Sequence, residues 1–331
     1  MAQITYSYIT DIEFEELMAP FFIKDHFAVA VSGGVDSIAL GYLANRYAIK
    51  NDLQMTALTV DHGLRLESVE EAEWVHSLMA QNNIVHEVLL WKHAGELPQT
   101  KIQESARIAR YDLLSTWCKA NAVQFLLTAH HLDDQVETFF IRLAHRSGLK
   151  GLSSMRQTRE TPFGSLLRPL LPISKARLVA TLQHYNVEWR DDPSNAKDQF
   201  ERVRFRKALS QMYDQGLLDP SNITESIRKL QNIDDFFDES VRFFLNTYDL
   251  QNFPLKAFQQ QHPLLQCRIL SFIVKKLSLK RYMPPDATFE RARQKMMNSN
   301  FKGLTLGGLY FRRAAGSTIQ VSYEMRKIYD C

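Results

Sequence analysis

The sequence predicts an α/β protein: a doubly wound domain around a mostly parallel sheet, followed by a smaller, mainly helical domain. Three observations predict this. Short apolar runs alternate with amphipathic helical stretches through the first two hundred residues. The polar clusters most suited to chemistry each follow one of those apolar runs directly. After Arg206 the alternation gives way to consecutive helical patterns. Repeated strand–helix units demand crossover connections, and so a parallel sheet covered on both faces.

The elements follow in order. Phe27-Ala28-Val29-Ala30-Val31 is an apolar run ending at a glycine pair, as a buried parallel strand should. Ser37 to Tyr47 puts Ile38, Tyr42 and Ala44 on helical turns. A second strand, Met55 to Val60, ends at Asp61-His62-Gly63. Glu67 to Gln81 reads as a helix with Val69, Ala72, Val75 and Met79 on one face, and Ile84 to Leu90 as a strand. Lys101 to Ala120 is a long amphipathic helix through Ile102, Ala106, Ala109, Leu113 and Trp117. Val123 to Thr128 is another strand and Leu132 to His145 another helix. A shorter strand–helix unit follows, its helix near Ser174 to Tyr185. In the distal part, Ser221 to Asn246, Pro263 to Lys276 and Asp286 to Asn298 read as helices. Gly303 to Tyr323 alternates around Gly316-Ser317 as a short hairpin. Gly216 and Pro220 interrupt the pattern at residues 207–222, which divides a domain of 1–212 from one of 213–331.

Composition narrows the setting. At 331 residues with 45% hydrophobic and 23% charged side chains, the chain can bury its cores without staples. Cys118, Cys267 and Cys331 form no local CxxC pair, which suits a reducing compartment. Neither a signal peptide nor a long uninterrupted apolar span is visible, so a cytoplasmic protein is expected. The net charge of +3 hides an asymmetry. Residues 1–150 carry 12 Lys and Arg against 19 Asp and Glu, a net −7; residues 151–331 carry 28 against 18, a net +10. A basic half suits a polyanionic partner, although two domains of opposite charge could simply attract each other. Oligomeric state is not legible, a homodimer being one option.

Ser32-Gly33-Gly34-Val35-Asp36-Ser37 carries the strongest chemical signal. Glycines where a strand feeds a helix let backbone N–H groups close on an anion, and the helix N-terminus favours negative charge. No lysine follows as in a Walker loop. Asp36 instead offers a carboxylate inside a phosphate nest, which calls for a cation between them, Mg²⁺ being the natural one. A second cluster, Asp133, Asp134 and Glu137, opens a helix with acids at spacings that share a face. It suits Mg²⁺ at Asp133 or a substrate ammonium at Asp134 and Glu137; decoration of a helix dipole is the bland alternative. His130-His131 lacks partners at zinc-site spacing and suits a phosphate or leaving-group contact, assigned to His130. Arg107 and Arg110, one turn apart, suit a clamp on a phosphate or a polyanion, or a solvated face. Arg168, Arg202, Arg204 and Arg206 are further candidates for bidentate phosphate contacts.

SGGVDS after an AVAV strand resembles the PP-loop signature of the ATP pyrophosphatase family, with an adenine nucleotide α-hydrolase-like fold. That resemblance implies ATP as substrate, AMP and pyrophosphate as products, and an adenylated intermediate. Within it, Thr59 to Arg65, Glu104-Ser105-Ala106-Arg107 with Arg110-Tyr111, and Thr128 to Thr138 are similar to the tRNA(Ile)-lysidine synthase branch. So are Ser147 to Leu152, Leu167 to Leu170 and Asp192-Pro193-Ser194-Asn195. The resemblance spans roughly residues 27 to 206. It implies a wobble cytidine in a tRNA(Ile) with a CAU anticodon, activated by ATP and then attacked by free L-lysine to give lysidine. It also places Asp61 and Arg65 near the base and sugar of the nucleotide; a simple cap of the following turn is the lesser alternative for Asp61. One departure is Arg202-Val203-Arg204-Phe205-Arg206, where the family shows an asparagine after the first arginine; only the arginines are carried over. Rival readings are a tRNA thiolase, disfavoured because no paired cysteines occur; a nucleotide-binding regulator, disfavoured by so many acids; and an enzyme of small-molecule amidation, for which no glutaminase half is visible.

Overall fold

The computed structural model describes residues 6–63, 67–92, 102–190, 201–280 and 283–324. Arg65, Asp192 to Asn195 and Cys331 lie outside them. The chain enters through α1 (Asp11–Met18), capped by the Thr10 side chain, which accepts from Glu13 N. Then come β1 (Phe27–Ala30), α2 (Val35–Lys50), β2 (Met55–Asp61), α3 (Glu67–Gln81), β3 (His86–Leu90) and α4 (Ile102–Ala120). They are followed by β4 (Phe125–Leu127), α5 (Leu132–Ala144), α6 (Leu149–Leu152), β5 (Thr158–Thr161), β6 (Gly164–Leu167), α7 (Lys175–His184) and α8 (Glu201–Asp214).

The six strands lie in the order β3-β2-β1-β4-β6-β5. All neighbours pair in parallel except the edge pair β5 and β6, an antiparallel hairpin. Alternation along the strands feeds two cores. Phe27, Val29, Ala57, Leu127 and Leu167 face one, packed with residues of α1, α2, α3 and α7. Ala28, Ala30, Leu58, Leu126 and Leu166 face the other, packed with Leu114, Trp117 and Cys118 of α4. Side chains that alternate faces, both buried, are what a doubly wound parallel sheet requires. From β1 the chain builds outward through β2 and β3, then crosses to the other side of β1 with β4. The reversal of strand order therefore lies between β1 and β4, where open α/β sheets bind ligands beyond the strand carboxyl ends.

The second compact unit begins inside α9 (Pro220–Thr247), the division falling between Arg228 and Lys229. Pro220 opens that helix as its first residue, where a missing N–H costs nothing. The expected break at 207–222 therefore stands beside a division drawn further along. The unit continues with β7 (Asn252–Pro254), α10 (Leu255–Gln259), α11 (Pro263–Leu277), α12 (Asp286–Met297), β8 (Gly303–Leu306), β9 (Leu309–Arg313) and β10 (Thr318–Tyr323). The distal hairpin is larger than expected: β7, β10, β9 and β8 form one antiparallel sheet in that order. Gly307 and Gly308, both at positive φ, make a second tight turn between β8 and β9. No helix of the described residues is long and apolar enough to cross a membrane.

Candidate active site

The glycine turn leaves β1 on the side of the strand-order reversal. Gly33 takes φ +84°, a left-handed conformation that suits glycine, and a Cβ there would press to 3.2 Å from Val75 Cγ2. Its carbonyl accepts from Arg190 N at 3.0 Å, and the Arg190 guanidinium lies 4.5 Å over the Trp74 ring. Gly34 caps α2, and a Cβ on it would meet nothing within 4 Å, so the turn is open there. Ser37 Oγ accepts from Ser32 N at 3.0 Å and donates to Gly34 O at 3.0 Å, bracing the turn from inside. Val35 and Ser37 are buried, and Asp36 sits in the first helical turn.

Directly across the reversal, β4 runs into His130-His131 and the start of α5. His131, 3% exposed, is surrounded by acids. Its Nε2 lies 3.6 Å from Asp36 Oδ2 and 3.5 Å from Asp134 Oδ2, and its Nδ1 lies 3.3 Å from Asp133 Oδ2. Burial alone would favour the neutral ring; Asp133, Asp36 and Asp134 overcome it and push the imidazole up to about 10. His131, its charged form favoured by these acids, thus joins the glycine turn to α5. Residue-type reasoning favoured His130 and missed this role. The available signal was position: His131 caps a helix whose second and third residues are acidic.

The expected acids converge, with partners of their own. Asp133 Oδ2 accepts from Lys175 N at 2.8 Å, and Lys175 Nζ lies 3.9 Å from Asp36 Oδ2. Burial raises the Asp133 carboxyl, but His131 and the Lys175 N–H hold it below its ordinary value. Asp134 Oδ2 accepts from His131 N at 3.2 Å, closing the helix start. Glu137, 2% exposed, takes Arg202 Nε and Arg206 Nε at 2.6 Å each, and Arg202 Nη2 also donates to Asp134 Oδ1 at 2.6 Å. Arg202 and Arg206, expected on phosphate or tRNA, are here engaged with carboxylates. A buried carboxylate such as Glu137 needs cationic donors, and α8 supplies them.

His130 lies in a contrasting environment. Burial, with the charges of Arg168, Arg107, Arg202 and Arg110 around it, drives its ring down to about 3, so it is a neutral ligand among cations. Arg168 is 5% exposed; it donates from Nη1 to Arg156 O at 2.7 Å, while its Nε is buried with no hydrogen-bond partner. Its burial, offset in part by Tyr111 and reinforced by Arg159 and Arg107, lowers its pKa to about 10. Arg107 lies 5.2 Å over the Tyr111 ring. Cationic side chains thus gather around His130, beside the acidic cluster. Asp61, 6% exposed at the end of β2, accepts from Gly63 N at 2.9 Å and so caps its own turn.

A model of the PP-loop domain family matches residues 7–213. A tRNA(Ile)-lysidine synthase of Rhodopseudomonas palustris is 40% identical over 210 residues, 63% of this chain and 60% of that relative. One from Wolbachia sp. subsp. Brugia malayi is 33% identical over 329 residues, 96% of this chain and 75% of the relative. The chain thus matches about 60% of the length of the first and three quarters of the second. Among solved structures, a U34-tRNA thiolase from Methanococcus maripaludis shares the fold with a TM-score of 0.57 at 16% identity, over 66% of this chain and 77% of that one. With the glycine turn and the acidic helix start meeting across the strand-order reversal, the chain belongs to the PP-loop family and, within it, to the tRNA(Ile)-lysidine synthase family.

Proposed function

We propose that this chain is a carbon–nitrogen ligase that uses ATP to modify a tRNA(Ile) with a CAU anticodon. It adenylates the C2 oxygen of the wobble cytidine, releasing pyrophosphate, and then joins free L-lysine at C2, releasing AMP. The product reads AUA in place of AUG. The observation that carries this reading is the meeting of Asp36, Asp133 and Asp134 within 3.6 Å of one buried imidazole ring, between the glycine turn and α5.

Open N–H groups at Gly34 and the α2 N-terminus suit the phosphates, and the turn itself carries no Walker-type lysine; the nearby cation, Lys175, comes instead from α7, with Nζ 3.9 Å from Asp36 Oδ2. Asp36 Oδ1 is buried with no hydrogen-bond partner, so this carboxylate fits a divalent cation; Asp133 has one oxygen already engaged and fits less well as a second ligand. No cluster of three or more His, Cys, Asp or Glu among the described residues could hold a metal by itself, so the phosphates would complete the shell. Mg²⁺ held there would draw charge from the phosphates as the α–β bond breaks. The His130 pocket, with Arg168, Arg107 and Arg110, offers cationic contacts to ATP or tRNA phosphate.

The lysine amine presents a separate problem, because an ammonium of pKa about 10.4 is no nucleophile. Asp134 and Glu137 would hold it and take a proton during attack. Arg202 and Arg206 pair with these carboxylates in this structure, so an entering ammonium would compete with guanidinium for them.

The test is to incubate the chain with tRNA, ATP and lysine and to weigh the anticodon nucleosides. A cytidine heavier by one lysine less water, with AMP and pyrophosphate formed only when lysine and tRNA are both present, is expected. ADP as by-product, or full modification without lysine, rejects the reading.

A further inference from the structure

The four-stranded sheet of the second unit has one covered face and one open face. Phe253, Leu304, Leu306, Leu309, Phe311, Ile319 and Val321 enter a core with residues of α11 and α12. The alternate positions Asn252, Thr305, Tyr310, Arg312, Gln320 and Ser322 are all exposed. Pairing arranges them in two rows across the strands. Arg312 stands between Gly303 and Gln320, with Asn252 beyond Gln320; Tyr310 stands between Thr305 and Ser322.

This face is ordered and has a definite chemistry. A Cβ on Gly303 would come within 2.6 Å of Tyr310 Oη, so the tyrosine lies down over the glycine while 39% exposed. Arg312 Nη2 donates to Gln320 Oε1 at 2.8 Å, which holds the guanidinium in its row. Arg312 is the arginine of this face, Arg313 standing opposite buried Ile319, and strands β7 to β10 contain no acidic residue. An aromatic ring, a cation and amide side chains on an open antiparallel sheet match the needs of an unpaired nucleotide, namely stacking, phosphate contact and base-edge hydrogen bonds. One ring among hydrophilic neighbours is too little apolar surface for the core of a stable dimer.

We propose that this open face binds an unpaired stretch of RNA, with a base stacked on Tyr310 and a phosphate held by Arg312. The inference rests on the reading of the substrate as tRNA and names the surface that grips it.

The experiment uses the full chain, a fluorescent transcript of the CAU-anticodon tRNA(Ile), and the variants Tyr310→Ala, Tyr310→Phe and Arg312→Ala. Equal thermal melting of wild type and variants controls for folding. Stacking is lost on truncation to alanine and kept by phenylalanine. Tyr310→Ala and Arg312→Ala should each weaken binding by roughly tenfold, Tyr310→Phe should bind as wild type, and kcat at saturating tRNA should not move. Cross-links from 5-iodouridine RNA should map to residues 309–323. Wild-type affinity in both alanine variants, or cross-links confined to other segments, overturns the proposal and leaves the ligase reading standing. A dimer that Tyr310→Ala dissolves would mark the face as a self-contact and overturn it too. Failure of wild-type protein to bind tRNA rejects both readings. Should Tyr310→Ala not fold, Arg312→Ala and the cross-link map decide.

Discussion

In the proposed chemistry Asp36 is the central residue, since it stands in the first turn of α2 and reaches His131. Asp36→Asn keeps its shape and removes its charge. Pyrophosphate release should fall on the order of 10²-fold or more while the melting temperature stays near wild type; an unchanged rate would remove Asp36 from the mechanism. A second prediction concerns His86. Thr59 Oγ1 donates its hydrogen to Val31 O, the carbonyl just before the glycine turn, so it accepts from His86 Nε2 at 2.8 Å. His86 Nδ1 then accepts from His76 Nδ1 at 3.0 Å. Burial first, and His76 second, push His86 down to about 4. A histidine depressed in the folded state contributes stability that is complete above the unfolded pKa of about 6.5 and lost as pH falls towards 4. Urea melts at pH 7 and pH 4.5 should differ by about 1–3 kcal/mol more in wild type than in His86→Gln; identical pH slopes would refute the arrangement. Of the site itself, the glycine turn and the three α5 acids were legible because their residue types and spacing are local. His131, Lys175 and the pairing of Arg202 and Arg206 with Glu137 were not. Each depends on which elements meet in space.

Among elements, the edge hairpin β5–β6 offers a sharp test. Gly164 has φ +146°, and a Cβ there would lie 2.2 Å from Gln124 O, the carbonyl that accepts from Ser165 N as β6 joins β4. Backbone atoms cannot give way as a side-chain tip can. Gly164→Ala should cost about 3 kcal/mol or more, measured by chemical denaturation. A loss under 1 kcal/mol would mean the turn relaxes freely. This hairpin was not anticipated, because Thr158-Arg159-Glu160-Thr161 is too polar to read as a strand until it is seen at an edge. Helix α8 was missed for a related reason: only Val203 and Leu209 are buried, and its arginines fasten it to α5 instead of an apolar stripe. The long alternating elements read well, α3 to the residue, since two buried faces leave strong periodic signals. In the second unit, β7 pairs with β10 across more than sixty residues, which no local pattern reveals.

At the scale of the molecule, charge asymmetry remains the plainest property: net −7 over residues 1–150 and net +10 over 151–331. If the basic half meets RNA phosphate, affinity for tRNA should fall by roughly tenfold or more between 50 and 200 mM salt, along a straight line in log–log form. Titrations that show no salt dependence would detach the charge from the function. The sheet order was foreseeable in kind, a parallel sheet with helices on both sides, but the place of reversal was not, because the order of strands is a tertiary fact. That order has a temporal consequence. The two loops that complete the centre, 32–37 and 130–137, come from adjacent strands yet lie about ninety residues apart in the chain. A ribosome that has released only the first hundred residues has exposed a nucleotide cradle with no acids opposite it. Until β4 docks beside β1, the glycine turn has none of the α5 acids across from it, and the centre is assembled only when that later strand is in place.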